Sequence, residues 1–351
     1  MPQQNLADRE DFKFYEKNSK REIVAVTSEE KNKEAEKKLE KIKEERWDEL
    51  PKRYRENWDE VALYHTKGDV DKAHALLLDP EEGAYDLKNK LNHMTGKEWT
   101  KFTKSWFIFD AKAEDLKEER EVLDNSEDHP ATYSPTMIED FVRFFTKEGE
   151  KVYDPFTGIG STLVACKRNN REGYGTELVE KYYKDSLKRV PEFEDNVYNE
   201  DARKAKELFD DEMFQLSISS PPYWDMLNRS TKDFEDKRKE RDLDTKYSDS
   251  KVDLGNIEDY NDFLDEITSL YLDIYDLLKE GGYLVIIVKN VNKNGEMHPL
   301  AWDLAKNLSE KYTLKDEKIW CQDEVGLAPY GYPYSWASNT IHHYCLILKK
   351  E

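Results

Sequence analysis

The spacing of apolar residues changes near residue 105 and divides the chain in two. Before it, Ser28 to Glu49 is dense in Lys and Glu, with Leu39, Ile42 and Trp47 nearly its only apolar points. Ser28 can cap a helix there, and opposite charges four residues apart support its exposed face. The pattern describes a solvated helix rather than a dedicated binding surface. Asn57 to Leu78 and Ala84 to Met94 also read as helices, so residues 1–105 are expected to form a helical module. From Trp106 onward short apolar runs alternate with amphipathic stretches. Trp106 to Phe109 is a short apolar run, and Thr136 to Phe145 reads as a helix. Strands are expected at Lys151 to Tyr153, Gly173 to Thr176, Asn196 to Tyr198 and Phe214 to Ser219. Two more follow at Gly282 to Asn290 and His343 to Leu348. Helices between them are expected at Ser161 to Asn169, Lys181 to Arg189 and Tyr260 to Leu278. Strand alternating with helix implies an α/β fold, mostly a parallel sheet with helices on both faces. The charged stretch 225–258 has no clear period and reads as a functional insertion.

Length and charge narrow the field. A chain of 351 residues holds a full α/β domain, here residues 106–351, plus the N-terminal module. Its formal net charge is −21, with 76 acidic against 55 basic residues. Any surface for nucleic acid must therefore be a local basic patch. Lys97, Lys101 and Lys104 are candidates, as are Arg229, Lys232, Lys237, Arg238, Lys239 and Arg241. Cys166, Cys321 and Cys345 have neither metal-ligand spacing nor a disulfide pattern. No metal site is expected. No signal core or membrane-length apolar run is present, so a cytoplasmic location without a membrane partner is expected.

Two segments carry chemistry. Asp154-Pro155-Phe156-Thr157-Gly158-Ile159-Gly160-Ser161-Thr162 joins a strand to a helix. Gly158 and Gly160 let the backbone pass close to a ligand. Glu177, at the end of the next strand, is placed to accept from both hydroxyls of a ribose. Asp201 follows the third strand; it either receives an adenine amino group or caps the helix starting near Ala202, and spacing alone does not choose. The dinucleotide fingerprint would need glycine where Leu163 stands, which disfavours an NAD-dependent oxidoreductase. Asp154 would repel a pyrophosphate but could accept from an ammonium.

The second segment, Ser220-Pro221-Pro222-Tyr223, follows an apolar strand. The prolines hold a rigid turn. The Ser220 hydroxyl and the Pro221 carbonyl can both accept from one NH2 group. Such acceptors localise a lone pair otherwise delocalised into an aromatic ring. Tyr223 offers a ring face for an extruded base.

Together these residues resemble the amino-methyltransferases of DNA, the N4-cytosine and N6-adenine group, from about Trp106 to the C-terminus. Asp154 to Gly160 is similar to the family's glycine motif, and Ser220 to Tyr223 to its catalytic tetrapeptide. His129 to Pro135 resembles the motif that wraps the methionine end of the cofactor. The resemblance implies a Rossmann-like class I methyltransferase fold and S-adenosylmethionine as cofactor. It implies cofactor-binding roles for Thr132, Tyr133, Ser134, Asp154, Phe156, Gly158, Gly160, Ser161, Thr162, Glu177 and Asp201. It implies catalytic roles for Ser220, Pro221, Pro222 and Tyr223. Serine at the first catalytic position is commoner among N4-cytosine enzymes, so cytosine in double-stranded DNA, flipped from the helix, is the expected target. N6-adenine or an RNA base is the alternative, and an acidic scaffold with a degenerate domain is the non-enzymatic one. A cognate restriction endonuclease is a candidate partner. Target reading falls to the N-terminal module, to 225–258, or to the loop around Gly326 to Trp336.

Overall fold

The computed structural model describes residues 13–26, 28–109, 133–209, 213–224, 253–293, 295–323 and 325–351. The chain divides into two compact units, Met1–Thr103 and Lys104–Glu351.

In the N-terminal unit, α1 (Glu29–Arg46) starts at Ser28, whose side chain accepts from the Lys31 N–H. Its buried residues, Asn32, Ala35, Leu39 and Ile42, recur every three or four positions and form one stripe. Ala35, Leu39 and Ile42 enter a core with Phe14, Leu50, Tyr54, Leu63, Leu76 and Tyr85. The remainder overturns the expected helical module. Strands β1 (Phe14–Lys17), β2 (Ile23–Ala25), β3 (Ala62–His65), β4 (Ala75–Leu77) and β5 (Ala84–Asp86) form one sheet, ordered β2-β1-β3-β4-β5. Asn57 to Leu78 thus holds two strands, and Ala84 to Met94 one. Strands of three or four residues offer too few positions to display an alternating period. Asp69, Asp79, Asp86 and Asn89 each accept the N–H two residues on. Such turns compete with helix for the same backbone groups. Two short helices, α2 (Lys52–Glu56) and α3 (Gly96–Phe102), complete the unit.

The second unit is built on β6 (Trp106–Ile108), β7 (Lys151–Asp154), β8 (Glu172–Thr176), β9 (Val197–Tyr198), β10 (Phe214–Ser219), β11 (Leu278–Val288), β14 (Thr313–Cys321) and β15 (His342–Lys349). A separate hairpin joins β12 (Val291–Lys293) to β13 (Glu296–His298). The main sheet runs β6-β14-β15-β11-β10-β7-β8-β9. All its strands are parallel except β15, which is antiparallel to both neighbours, β11 and β14. The chain steps outward from β7 to β8 and β9, then crosses to β10 on the other side. The switch point between β7 and β10 is where open α/β sheets bind ligands.

Six helices are described here: α4 (Pro135–Phe145), α5 (Ser161–Arg168), α6 (Glu180–Arg189), α7 (Ala205–Leu208), α8 (Tyr260–Leu277) and α9 (Leu300–Leu308). Alternation along β11 shows that both sheet faces are covered. Leu284, Ile286 and Val288 join Phe263, Ile267, Leu270 and Ile274 of α8 and Leu304 of α9 in one cluster. Val285 and Ile287 are equally buried but point the other way. On their side Phe145 of α4 packs on Tyr283, ring centroids 4.7 Å apart. This is the Rossmann-like class I methyltransferase fold. The sequence reading omits β14, α9 and the hairpin. The first five residues of β14 are exposed, and three of them are Lys315, Asp316 and Glu317, so hydropathy hides the strand.

Candidate active site

Strand β7 ends at Asp154, and the chain turns through Pro155–Gly160 into α5. Gly158 and Gly160 adopt φ of +54° and +88°. A Cβ at Gly160 would also stand 3.0 Å from the Ser186 Cβ, so only glycine fits. The turn is fixed by bonds to β8: the Thr157 N–H donates to the Thr176 carbonyl at 3.1 Å, and the Gly158 N–H to Glu177 Oε2 at 2.8 Å.

Asp154 is fully buried and does not line the cleft, contrary to its expected role as a direct cofactor ligand. Its carboxylate accepts from Thr162 Oγ1 at 2.5 Å, from the Tyr133 hydroxyl at 3.0 Å and from the Phe156 N–H at 2.9 Å. Burial pushes its pKa up to about 6 against those three donors. Asp154 is the hub that holds Tyr133 and the turn in place.

Glu177 does face the cleft. Its other oxygen accepts from the Val179 N–H at 2.8 Å. Burial pushes its pKa up to about 7, and the two backbone N–H groups oppose that rise. For Asp201 the capping reading holds, and its place leaves the ligand reading open. It lines the cleft, and it caps the turn at Ala202 by accepting from the Arg203 N–H at 2.9 Å. The Arg203 guanidinium also grips it at 2.6 Å and reaches Glu266 at 3.0 Å.

Strand β10 delivers Ser220 and Pro222 to the opposite side of the same cleft. The Ser220 hydroxyl lies 3.0 Å from the Tyr223 hydroxyl, which donates to the Ile287 carbonyl at 3.4 Å. Pro221 and Tyr223 do not line the cleft. Tyr223 is only 5% exposed, which corrects the expectation of an open stacking face. Its ring packs 6.2 Å from His343, which stacks on Trp320 at 4.2 Å.

The cleft encloses about 860 Å³, part of it open to solvent. Tyr133, Phe156, Gly158, Ser161, Glu177, Asp201, Ser220 and Pro222 are the expected residues it gathers. Ser134, Gly160 and Thr162 are buried beside or behind it without lining it, and Thr132 lies outside the described residues. The basic residues 229–241 also lie outside the described residues. Sequence reasoning missed Tyr182, Leu254 and Asp253, which complete the wall. The side chain of Asp253 accepts from the Gly255 N–H at 2.9 Å. An Asp two residues before a glycine, closing a charged stretch, was the available signal. Lys289, directly after the most apolar strand, was also missed. Burial pulls its pKa down to about 8; burial, and after it the Lys289 charge, also lower His342 and His343.

The wall chemistry suits a nucleoside with an amino-acid tail. Ser161 Oγ is buried with no hydrogen-bond partner among the described residues, an orphan that a ligand in the cleft would satisfy. Glu177 and Asp201 accept from hydroxyl and amine donors. Phe156, Leu178, Val179 and Leu254 supply apolar surface for a flat ring.

A family model of DNA methylases, the N6/N4 group, matches residues 5–188, just over half of the chain. The chain belongs to the N6/N4 DNA methylase family. S-adenosylmethionine is the methyl donor of that family, and the cleft residues fit it. The match includes the glycine turn and Glu177 and stops before Ser220. Membership sets aside the NAD-dependent reading. The orphan methyltransferase M.BamHII of Bacillus amyloliquefaciens is 39% identical over 54 residues, 15% of this chain and 20% of that protein. The type II methyltransferase M.BglII of Bacillus subtilis is 42% identical over 66 residues, 18% of each chain. The chain thus matches about a fifth of the length of these curated relatives. Among solved structures, TrmN from Thermus thermophilus is similar at 14% identity and a TM-score of 0.41, over 67% of this chain and 53% of that one.

Proposed function

We propose that this methylase-family protein methylates the exocyclic N4 amine of cytosine in DNA, taking the methyl group from S-adenosylmethionine. The hydroxyl chain at Ser220 carries the proposal. If Tyr223 commits its one proton to the Ile287 carbonyl, it accepts from Ser220. The Ser220 proton is then engaged too, and the oxygen of this cleft-lining residue keeps both lone pairs for accepting. Ser220 is thereby set as an acceptor, as an NH2 group requires.

The bound cofactor supplies an electrophilic methyl group on a sulfonium. Everything else is positioning by this chain. Glu177 receives the ribose hydroxyls, Asp201 the adenine edge and Ser161 the polar tail. Ser220 Oγ accepts an amine proton and helps localise the nitrogen lone pair; Pro221, which does not line the cleft, holds the turn that places it. Acceptors fixed in advance act on charge as it develops, and orientation supplies much of the remaining acceleration. Tyr223 is a positioning residue behind Ser220. No strong general base is needed, because the amine becomes acidic once methylated.

Serine rather than Asp or Asn at position 220 favours cytosine over adenine. The type II methyltransferases among its relatives favour a site-specific reaction on duplex DNA. A cognate nuclease would then accompany it. The test is to methylate unmodified DNA, digest it to nucleosides and identify the product by mass spectrometry. N4-methylcytosine is expected. N6-methyladenine alone would overturn the base assignment, and transfer only to RNA would overturn the substrate class.

A further inference from the structure

Strand β14 runs parallel to β7, β10 and β11, so its carboxyl end opens on the same sheet edge as Ser220. Residues 322–341 leave that edge and return to it at β15. This loop displays Leu327, Tyr330, Tyr332, Tyr334 and Trp336 to solvent, at 71, 61, 80, 92 and 92% exposure. Isolated exposed apolar residues need no explanation, but five within ten positions on one loop do.

The display is built. Asn339 clamps the loop, accepting from the Ala328 N–H at 2.8 Å and donating to the Ala328 carbonyl at 2.9 Å. The Tyr334 and Ser335 N–H groups donate to the Gly331 carbonyl at 2.7 and 2.8 Å. Gly331 has φ +75°, and a Cβ there would stand 2.3 Å from the Ser335 carbonyl oxygen, so glycine is required.

The charge pattern identifies the occupant. Residues 325–343 contain no Asp or Glu, where about four would fall at the chain's average. In a protein of net charge −21, this is a window that does not repel a polyanion. It is continuous with the candidate site: the loop returns through His342 and His343, and His343 sits between the Trp320 and Tyr223 rings. Lys289 places a positive charge beside them. Tyr223 itself is buried, so the unstacked bases of an opened duplex need another aromatic platform.

We infer that the Tyr330–Trp336 loop is a base-stacking surface that engages the unpaired bases left when the target nucleotide leaves the DNA duplex. The inference rests on the DNA-methylating reading and adds the surface that reading lacks. Tyrosine and tryptophan faces stack on any base, which gives affinity without sequence preference.

The test uses the full chain and two fluorescent probes, a 40-base-pair duplex pool of random sequence and the same pool with a central five-base unpaired bubble. Wild-type protein is expected to bind the bubble at least ten times tighter. Tyr334→Ala with Trp336→Ala should lose about ten- to a hundredfold on the bubble, the scale of one stacked base. The salt slope should stay unchanged, because no phosphate contact is removed. Tyr334→Phe with Trp336→Phe should keep the preference, which separates stacking from any loss of folding. No bubble preference in the wild type, or an undiminished one in the alanine variant, overturns the inference. So does loss of self-association in the alanine variant with DNA affinity untouched, which would make the loop a protein interface. Wild-type methyl transfer is assayed in parallel on unmodified DNA. A bubble preference that depends on the aromatics, in a protein that methylates no DNA, upholds the surface and overturns only the target assignment.

Discussion

If Glu177 holds the ribose as proposed, cofactor affinity should depend on pH. Burial holds its carboxyl near pKa 7, so about half of the free protein carries a proton there at neutral pH. A ribose diol donates two hydrogen bonds and therefore selects the ionised form. If those bonds return the group to its ordinary value of 4.5, the shift is worth about 3 kcal/mol. Binding then releases about half a proton at pH 7 and nearly one at pH 6. Affinity should fall about tenfold from pH 8 to pH 6. Calorimetry with S-adenosylhomocysteine in phosphate and in Tris at pH 6, 7 and 8 measures both quantities. Asp154, held near 6, titrates in the same window but is sealed behind Tyr133 and Thr162. Glu177→Gln retains Asp154 and removes the linkage, so its affinity should be weaker and flat with pH. The stability of the free protein runs the opposite way with pH. The folded pKa is raised, so the protonated carboxyl is favoured in the fold. That contribution is present below pH 4.5 and is lost as pH rises through 7. Melting temperature should therefore drop over this window in the free protein and less so in the glutamine variant. Equal wild-type affinity at pH 6 and pH 8, or an equal slope in Glu177→Gln, would refute the assignment.

Ser220→Ala should lower kcat about ten- to a hundredfold with cofactor affinity unchanged, since the lost acceptor acts on the reacting amine; single-turnover transfer and calorimetry separate the two. Tyr223→Phe should give a smaller fall in kcat that leaves cofactor affinity alone, because Ser220 survives but loses its orientation; an undiminished kcat would detach Tyr223 from it. Gly160→Ala should destabilise the fold by about 1–2 kcal/mol from its left-handed backbone and further from the Ser186 contact. Gly149→Ala, equally left-handed but facing open space, is the control that carries only the first cost in thermal unfolding. Reversing Arg229, Lys232, Lys237, Arg238, Lys239 and Arg241 should weaken DNA binding and flatten its salt dependence; an unchanged slope would show that these residues only balance neighbouring acids.

What was legible in the sequence follows from how each feature is stabilised. Strands β10 and β11 are buried on both faces and rich in apolar residues between turns, so their places were readable; β7 and β8 were readable from the glycine turn and the Gly-Tyr-Gly run beside it. The glycine turn was readable because a left-handed backbone leaves few choices of residue. The small N-terminal sheet was not, because its register is set by turns over long separations rather than by any period. Chemistry divides along the same line. Residue type alone shows that Ser220 can accept and that Glu177 carries charge. It does not show which acids reach the cleft. Asp154 and Glu177 look alike in sequence, each an acid at a strand end, yet Asp154 points behind the turn and Glu177 over it. The difference lies in the partners: Asp154 takes side-chain donors from two other elements, whereas Glu177 takes only backbone N–H groups and keeps lone pairs free. Tyr223 teaches the same lesson in reverse. A tyrosine after two prolines suggests an exposed platform, but its ring fills a gap beside His343, and its hydroxyl is the part the candidate site uses. In the proposed reading, the cleft therefore presents an acceptor, Ser220, and two carboxylates, Glu177 and Asp201, held in place by buried groups such as Asp154 and Tyr223 that do not line it.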